Sequence, residues 1–157
     1  MATLQKIVPN LWFDGNAKEA VDFYTSVFKD GQILETSYYP TEGLADFQQS
    51  LAGKELSISY SLAGQQFTAI NAGPEFKFNE SVSFAVSCDD QAEIDYFWEK
   101  LSAVPESEQC GWCKDKYGLS WQIVPANMGQ LMQGPKAFQA MMQMKKIDIA
   151  TLQAAGQ

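Results

Sequence analysis

The chain has no histidine and no arginine among its 157 residues, and only three cysteines. Each shortage closes off a chemistry. Without imidazole there is neither the commonest metal ligand nor the usual general base near neutral pH. Without guanidinium, bidentate recognition of phosphate or carboxylate is lost. All 11 basic residues are Lys, set against 19 acidic ones for a formal net charge of −8, so no basic face for nucleic acid is expected. No apolar run approaches the roughly 18 residues that suggest a membrane-crossing helix. The first ten residues, MATLQKIVPN, lack the basic-then-apolar order of a signal peptide. An odd number of cysteines with no such signal points to free thiols in a reducing cytoplasm.

What remains is ample for a core. Hydrophobic residues make up 46% and charged residues 19%, which suits one domain or one domain built of two duplicated halves. IVPNLWF (7–13) reads as a buried strand, broken by Asp14-Gly15. Asn16, with Glu19 three residues on, makes a capping-box pattern. The helix that follows carries Ala17, Ala20, Val21, Tyr24, Val27 and Phe28 on one face. QILETSYY (32–39) is a strand, residues 41–53 a loop, and ELSISYSL (55–62) with QQFTAIN (65–71) a hairpin turned at Ala63-Gly64.

The pattern then restarts. SVSFAVS (81–87) reads as a strand, Asp90 and Glu93 repeat the cap signature, and Ile94, Phe97, Trp98 and Leu101 fall at helical spacing. SEQCGWCK (107–114) and LSWQIVP (119–125) are strand-like, with DKYG as the turn between them, held by Lys114 and Asp115. VDFY (21–24) echoes IDYF (94–97). The fold class expected is α+β: two βαβββ modules forming a cup-shaped mixed sheet, with helices on the outer face and a helical tail. Module one spans about 5–74, module two about 79–125 and the tail about 126–157, all within a single domain, 1–157. In the tail, 134–146 reads as a helix with Phe138, Met141 and Met142 as its apolar face, and 148–156 as a second, capped by Asp148.

Cys110-Gly111-Trp112-Cys113 is a C-x-x-C, the pattern of a redox pair or half a metal site. If 109–114 is extended, Cys110 and Trp112 point one way and Cys113 the other. Gly111 is the one place a bend can bring the thiols together. A zinc site needs two further soft ligands, and only Cys88 remains. Small packing thiols are the expectation.

LWFDGNAKEAVDFYTSVF, AGPEFKFNE and CGWCKDKYGLSWQIVP together resemble the PhnB-like branch of the vicinal oxygen chelate superfamily, over about residues 5–150. That superfamily holds glyoxalase I, bleomycin-resistance proteins and extradiol dioxygenases, and the branch often carries the label 3-demethylubiquinone-9 3-methyltransferase. The resemblance implies the paired-module fold and a homodimer. Carried over position by position, the superfamily's four metal ligands fall near Pro9, near Asn71, at Ser81 or Ser83, and at Gln122. None is charged and none is His, so no metal and no cofactor are expected. Nor is there a Gly-rich strand-to-helix turn to hold S-adenosylmethionine.

The function expected is binding of a small organic molecule in the cup by Asn71, Ser83, Trp112 and Gln122. Parity turns Gln122 inward, because Leu119, Trp121 and Ile123 face the helices. Phe84 and Val86 likewise leave Ser83 on the cup side, and Asn71 closes the other half beside Phe67 and Ala69. The alternatives are an enzyme on the same fold, glyoxalase-like or methyltransferase-like, and a thiol-redox protein using Cys110 and Cys113. No nucleic acid or membrane partner is expected.

Overall fold

The structure is a computed structural model that describes residues 5–156. The chain divides into two compact units, the first ending at Lys77 and the second beginning at Phe78.

In the first unit, β1 (Asn10–Asp14), α1 (Ala17–Val27), β2 (Gln32–Tyr38), β3 (Glu55–Leu62) and β4 (Gln65–Ala72) make one βαβββ module. The sheet order is β1-β4-β3-β2, with β1 parallel to β4 and the other pairings antiparallel. Alternation along the strands sends one set of side chains to α1: Leu11 and Phe13, Ile58, Tyr60 and Leu62, Phe67 and Ala69 are all buried there. The helix returns Ala17, Ala20, Val21, Tyr24 and Val27, all buried, as the 3.6-residue period requires. Tyr24, Tyr60 and Phe67 stack in a row, with centroids 6.4 and 5.4 Å apart. Each such side chain contributes about 1.5–3 kcal/mol by leaving water. Beyond the helix cap at Phe28, Gly31 sits where a Cβ would be 2.6 Å from the backbone of Thr25, so only glycine fits.

The first strand is shorter than its apolar run suggests. Residues 7–9 lie outside it and Ile7 is exposed. The backbone carbonyl of Pro9 nonetheless accepts from Thr68 N–H at 3.0 Å. Residues 46–51, expected as loop, form a 3-10 helix.

The second unit repeats the plan with one strand fewer. Its strands are β5 (Ser83–Cys88), β6 (Trp112–Lys114) and β7 (Ser120–Pro125), and α2 (Gln91–Leu101) follows β5. The order β5-β7-β6, with β5 parallel to β7, matches β1-β4-β3 of the first unit. The place of β2 is taken by a 3-10 turn at Pro105–Ser107 and a single bridge from Gln109 to Trp112. Phe84, Val86, Cys88, Cys113, Trp121 and Ile123 share the face that packs on α2. The turn before β7 is held by the buried Asp115. Its Oδ1 accepts from the N–H groups of Tyr117 and Leu119 (2.8 and 3.1 Å), and its Oδ2 from Trp121 Nε1 (2.9 Å).

The tail forms α3 (Met128–Leu131), α4 (Pro135–Met142) and α5 (Ile149–Ala155). Asp148 caps α5 by accepting from Thr151 N–H at 3.0 Å, as its sequence implies. The buried face of α4 is not Phe138 and Met142, which stand exposed; Ala137 is the residue that packs, and Met141 is half-buried.

Candidate functional site

β7 carries the parity argument. Leu119, Trp121 and Ile123 are buried on the α2 side, so Gln122 and Val124 turn to the opposite face. The register sets Trp112 of β6 opposite Gln122, and Ala85 of β5 beside it. Ser83 shares the face with Ala85, and Gln122 Nε2 donates to its hydroxyl oxygen at 2.9 Å. Three of the four residues singled out in the sequence, Ser83, Trp112 and Gln122, thus lie together on one sheet face. The tail crosses in front of them. Met128 and Met141 join Trp112, Gln122 and Val124 around a cavity of about 630 Å³ in the second unit. At its rim Glu80 pairs with the Lys114 ammonium, which holds the Glu80 carboxyl below the usual carboxylate range.

Asn71 lies elsewhere. Its neighbours Phe67 and Ala69 do share its side, but that side faces α1. Asn71 Oδ1 accepts from Ala17 N–H at 3.2 Å and Nδ2 donates to the Glu55 carbonyl at 2.9 Å. Tyr39 donates its hydroxyl to the Asn71 carbonyl at 2.5 Å. Asn71 therefore caps α1 from a neighbouring strand. The helix needs it, because Asn16 makes no side-chain cap. The second helix does use its own cap: Asp90 accepts from Glu93 N–H at 2.9 Å.

The C-x-x-C is not extended. Cys110 and Gly111 have φ of 53° and 86° and form a two-residue turn, with Trp112 N–H donating to the Gln109 carbonyl at 2.7 Å. Cys110 lines the cavity, while Cys113 is buried on the α2 face. Burial, with Asp115 and Glu108 nearby, pushes the Cys113 thiol up to about 12. Neither thiol sits at a helix N-terminus, so nothing prepares a reactive thiolate pair.

The metal positions implied by the superfamily resemblance do not fit a metal. Pro9 has no side-chain donor, Asn71 spends both amide atoms on the backbone, and Ser83 and Gln122 bond each other. Among the described residues, no three His, Cys, Asp or Glu side chains are grouped to hold an ion.

Sequence reading missed a second cavity, of about 380 Å³, in the first unit. Trp12, Ile70 and Ala72 line it from the sheet face away from α1, with Tyr39, Lys54 and Glu75 around them. The signal was present in the alternation of Trp12 between Leu11 and Phe13. Trp12 is held there by donating Nε1–H to the Gly73 carbonyl at 2.9 Å, and by an edge contact with Phe76 at 4.8 Å.

Comparison with known proteins adds what the geometry cannot. A family model described as 3-demethylubiquinone-9 3-methyltransferase matches residues 5–124. A PhnB protein from Bacillus cereus, itself carrying the 3-demethylubiquinone-9 3-methyltransferase name, is 34% identical with a TM-score of 0.62. The match covers 76% of this chain and 99% of that one. Protein PA1353 from Pseudomonas aeruginosa shares the fold at 19% identity and a TM-score of 0.55, over 78% of this chain and 98% of its own. No curated protein matches. With two thirds of its length and more aligned to that model and to the Bacillus protein, the chain belongs to the 3-demethylubiquinone-9 3-methyltransferase family, in its PhnB-like branch.

Proposed function

We propose that the protein binds a small organic molecule in the cavity of the second unit, without a metal at the sheet positions where its superfamily places one. The observation that carries this reading is the convergence of Trp112, Gln122 and Val124 of the sheet with Met128 and Met141 of the tail. An aromatic plate, two thioethers and one amide suit a flat, largely apolar molecule with a polar atom. Gln122 Nε2 is engaged with Ser83, which leaves the amide oxygen to meet a ligand donor. Lys114 and Glu80 set a charged rim at which a polar substituent reaches water.

The family name implies S-adenosylmethionine as a methyl donor, and the residues here do not fit it. The strand-to-helix turns are Asp14-Gly15-Asn16 and Asp89-Asp90, acidic and not glycine-rich. The sheets have four and three strands, and the parallel pair of each is joined through α1, β2 and β3 in the first unit and through α2 and β6 in the second, not by a lone crossover helix. We further propose a homodimer in the reducing cytoplasm. The supports are the exposed apolar residues Ile33, Leu34 and Tyr38 of edge strand β2 and the three free thiols.

The test is titration of the full chain with an anilinonaphthalene sulfonate probe, together with native mass spectrometry of the protein as purified. One probe per chain is expected, with affinity weakened about threefold or more by Trp112→Ala. Gln122→Leu should weaken a ligand that donates to the amide by about 0.5–1.5 kcal/mol. Absence of both a retained molecule and stoichiometric probe binding, or affinity indifferent to Trp112→Ala, contradicts the reading.

A further inference from the structure

One corner of this cavity is rich in sulfur, and an apolar pocket does not require that. The Cys110–Gly111 turn is tied to the tail by two backbone hydrogen bonds, Cys110 N–H to the Met144 carbonyl and Gly111 N–H to the Lys145 carbonyl, both 2.8 Å. Gly111 packs so closely that a Cβ would meet Ile147 at 3.0 Å. These contacts fix the turn against the end of α4 and leave Cys110 Sγ 3.7 Å from Met142 Sδ. Met128 and Met141 line the same cavity.

Two sulfurs bonded to one ion at about 2.3 Å, with tetrahedral to trigonal angles, stand roughly 3.7–4.0 Å apart. Cys110 and Met142 therefore already have the spacing of two ligands on a shared ion. The donors are one thiol and several thioethers, with no imidazole in the chain. Such a set disfavours magnesium, calcium and manganese and selects Cu(I) among the common transition ions.

We propose that this corner is a Cu(I) site, with Cys110 Sγ and Met142 Sδ as its first two ligands and Met128 or Met141 as the third. On binding, the Cys110 S–H proton passes to water and the thiolate sulfur bonds the ion, which stays Cu(I) throughout. Cys88 and Cys113, each 1% exposed on the α2 face of the sheet, do not reach it. The proposal goes beyond organic-ligand binding and is measured with no organic ligand present, so either can fail alone.

The experiment is anaerobic competition of the reduced full chain against Cu(I) bicinchoninate, read by the chelator's colour and by native mass spectrometry. The wild-type chain should withdraw one copper, with only sulfur neighbours in the X-ray absorption spectrum. Cys110→Ser and Met142→Leu should leave the copper with the chelator, while Cys113→Ala should still take it. Met142 is 41% exposed, so Met142→Leu keeps the fold and decides the matter if Cys110→Ser does not. No withdrawal by wild type, or withdrawal by Met142→Leu equal to that of wild type, overturns the proposal.

Discussion

Cys113 and Cys88 differ from Cys110 by the face of the chain they occupy. Both lie against α2, where desolvation raises each thiol to about 12, helped by Asp115 and Glu108 for Cys113 and by Glu93, Asp89 and Asp90 for Cys88. In the unfolded chain these thiols ionise near 9.0. Below that both states hold the proton and stability is indifferent to it. Between 9 and 12 only the unfolded state sheds it, so stability falls as pH rises, by up to about 1.4 kcal/mol per pH unit for each thiol. Urea denaturation across that window should show the fall, and Cys88→Ala with Cys113→Ala should flatten it; an identical slope in the double variant would contradict the burial argument. The buried Tyr39 hydroxyl is raised as well, by desolvation first and Glu75 second, and adds a loss of the same sign that the cysteine variants leave untouched.

At the scale of elements, helices and long strands were legible because their burial is periodic. The α1 face and the ELSISYSL strand follow from apolar spacing alone, and so does the orientation of Gln122, flanked by apolar Trp121 and Ile123. Two features were not legible, each for a physical reason. Gly111 marked the one place for a bend, but a cysteine at φ 53° is costly for an L-residue, so the run around 110–111 still read as strand-like. The cap on α1 comes from Asn71, far along the chain, whereas local reading looks for it at Asn16. Parity placed Asn71 correctly beside Phe67 and Ala69 but could not say which sheet face α1 covers. Asn71→Ala should cost about 1–3 kcal/mol, because it strands the Ala17 N–H and the Glu55 carbonyl. Probe affinity in the second unit should not change. Chemical denaturation beside a probe titration checks both; lost affinity with unaltered stability would make Asn71 a ligand residue after all.

At the scale of the whole molecule, each unit carries a cavity on the sheet face its helix leaves open, one around Trp12 and one around Trp112. The second unit replaces a strand with a 3-10 turn and adds the Met-bearing tail, so the duplicated plan has diverged in its walls more than in its sheet order. Exposed Ile33, Leu34 and Tyr38 on β2 leave an apolar edge that association would cover. Sedimentation at micromolar concentration should give a homodimer, whose interface is expected to exceed about 1,000 Å²; a monomer would exclude it.

The four tryptophans allow the central claim to be tested in one spectrum. Trp121 Nε1–H is buried against Asp115 and Trp12 Nε1–H is bonded to Gly73, while Trp112 stands in the wall of the proposed binding cavity. Titrating the nitrogen-15-labelled full chain with the anilinonaphthalene sulfonate probe should shift the Trp112 indole resonance and leave those of Trp12 and Trp121 in place. A shift confined to Trp12 would move the binding site to the first unit, and no shift at Trp112 under saturating probe would contradict the account.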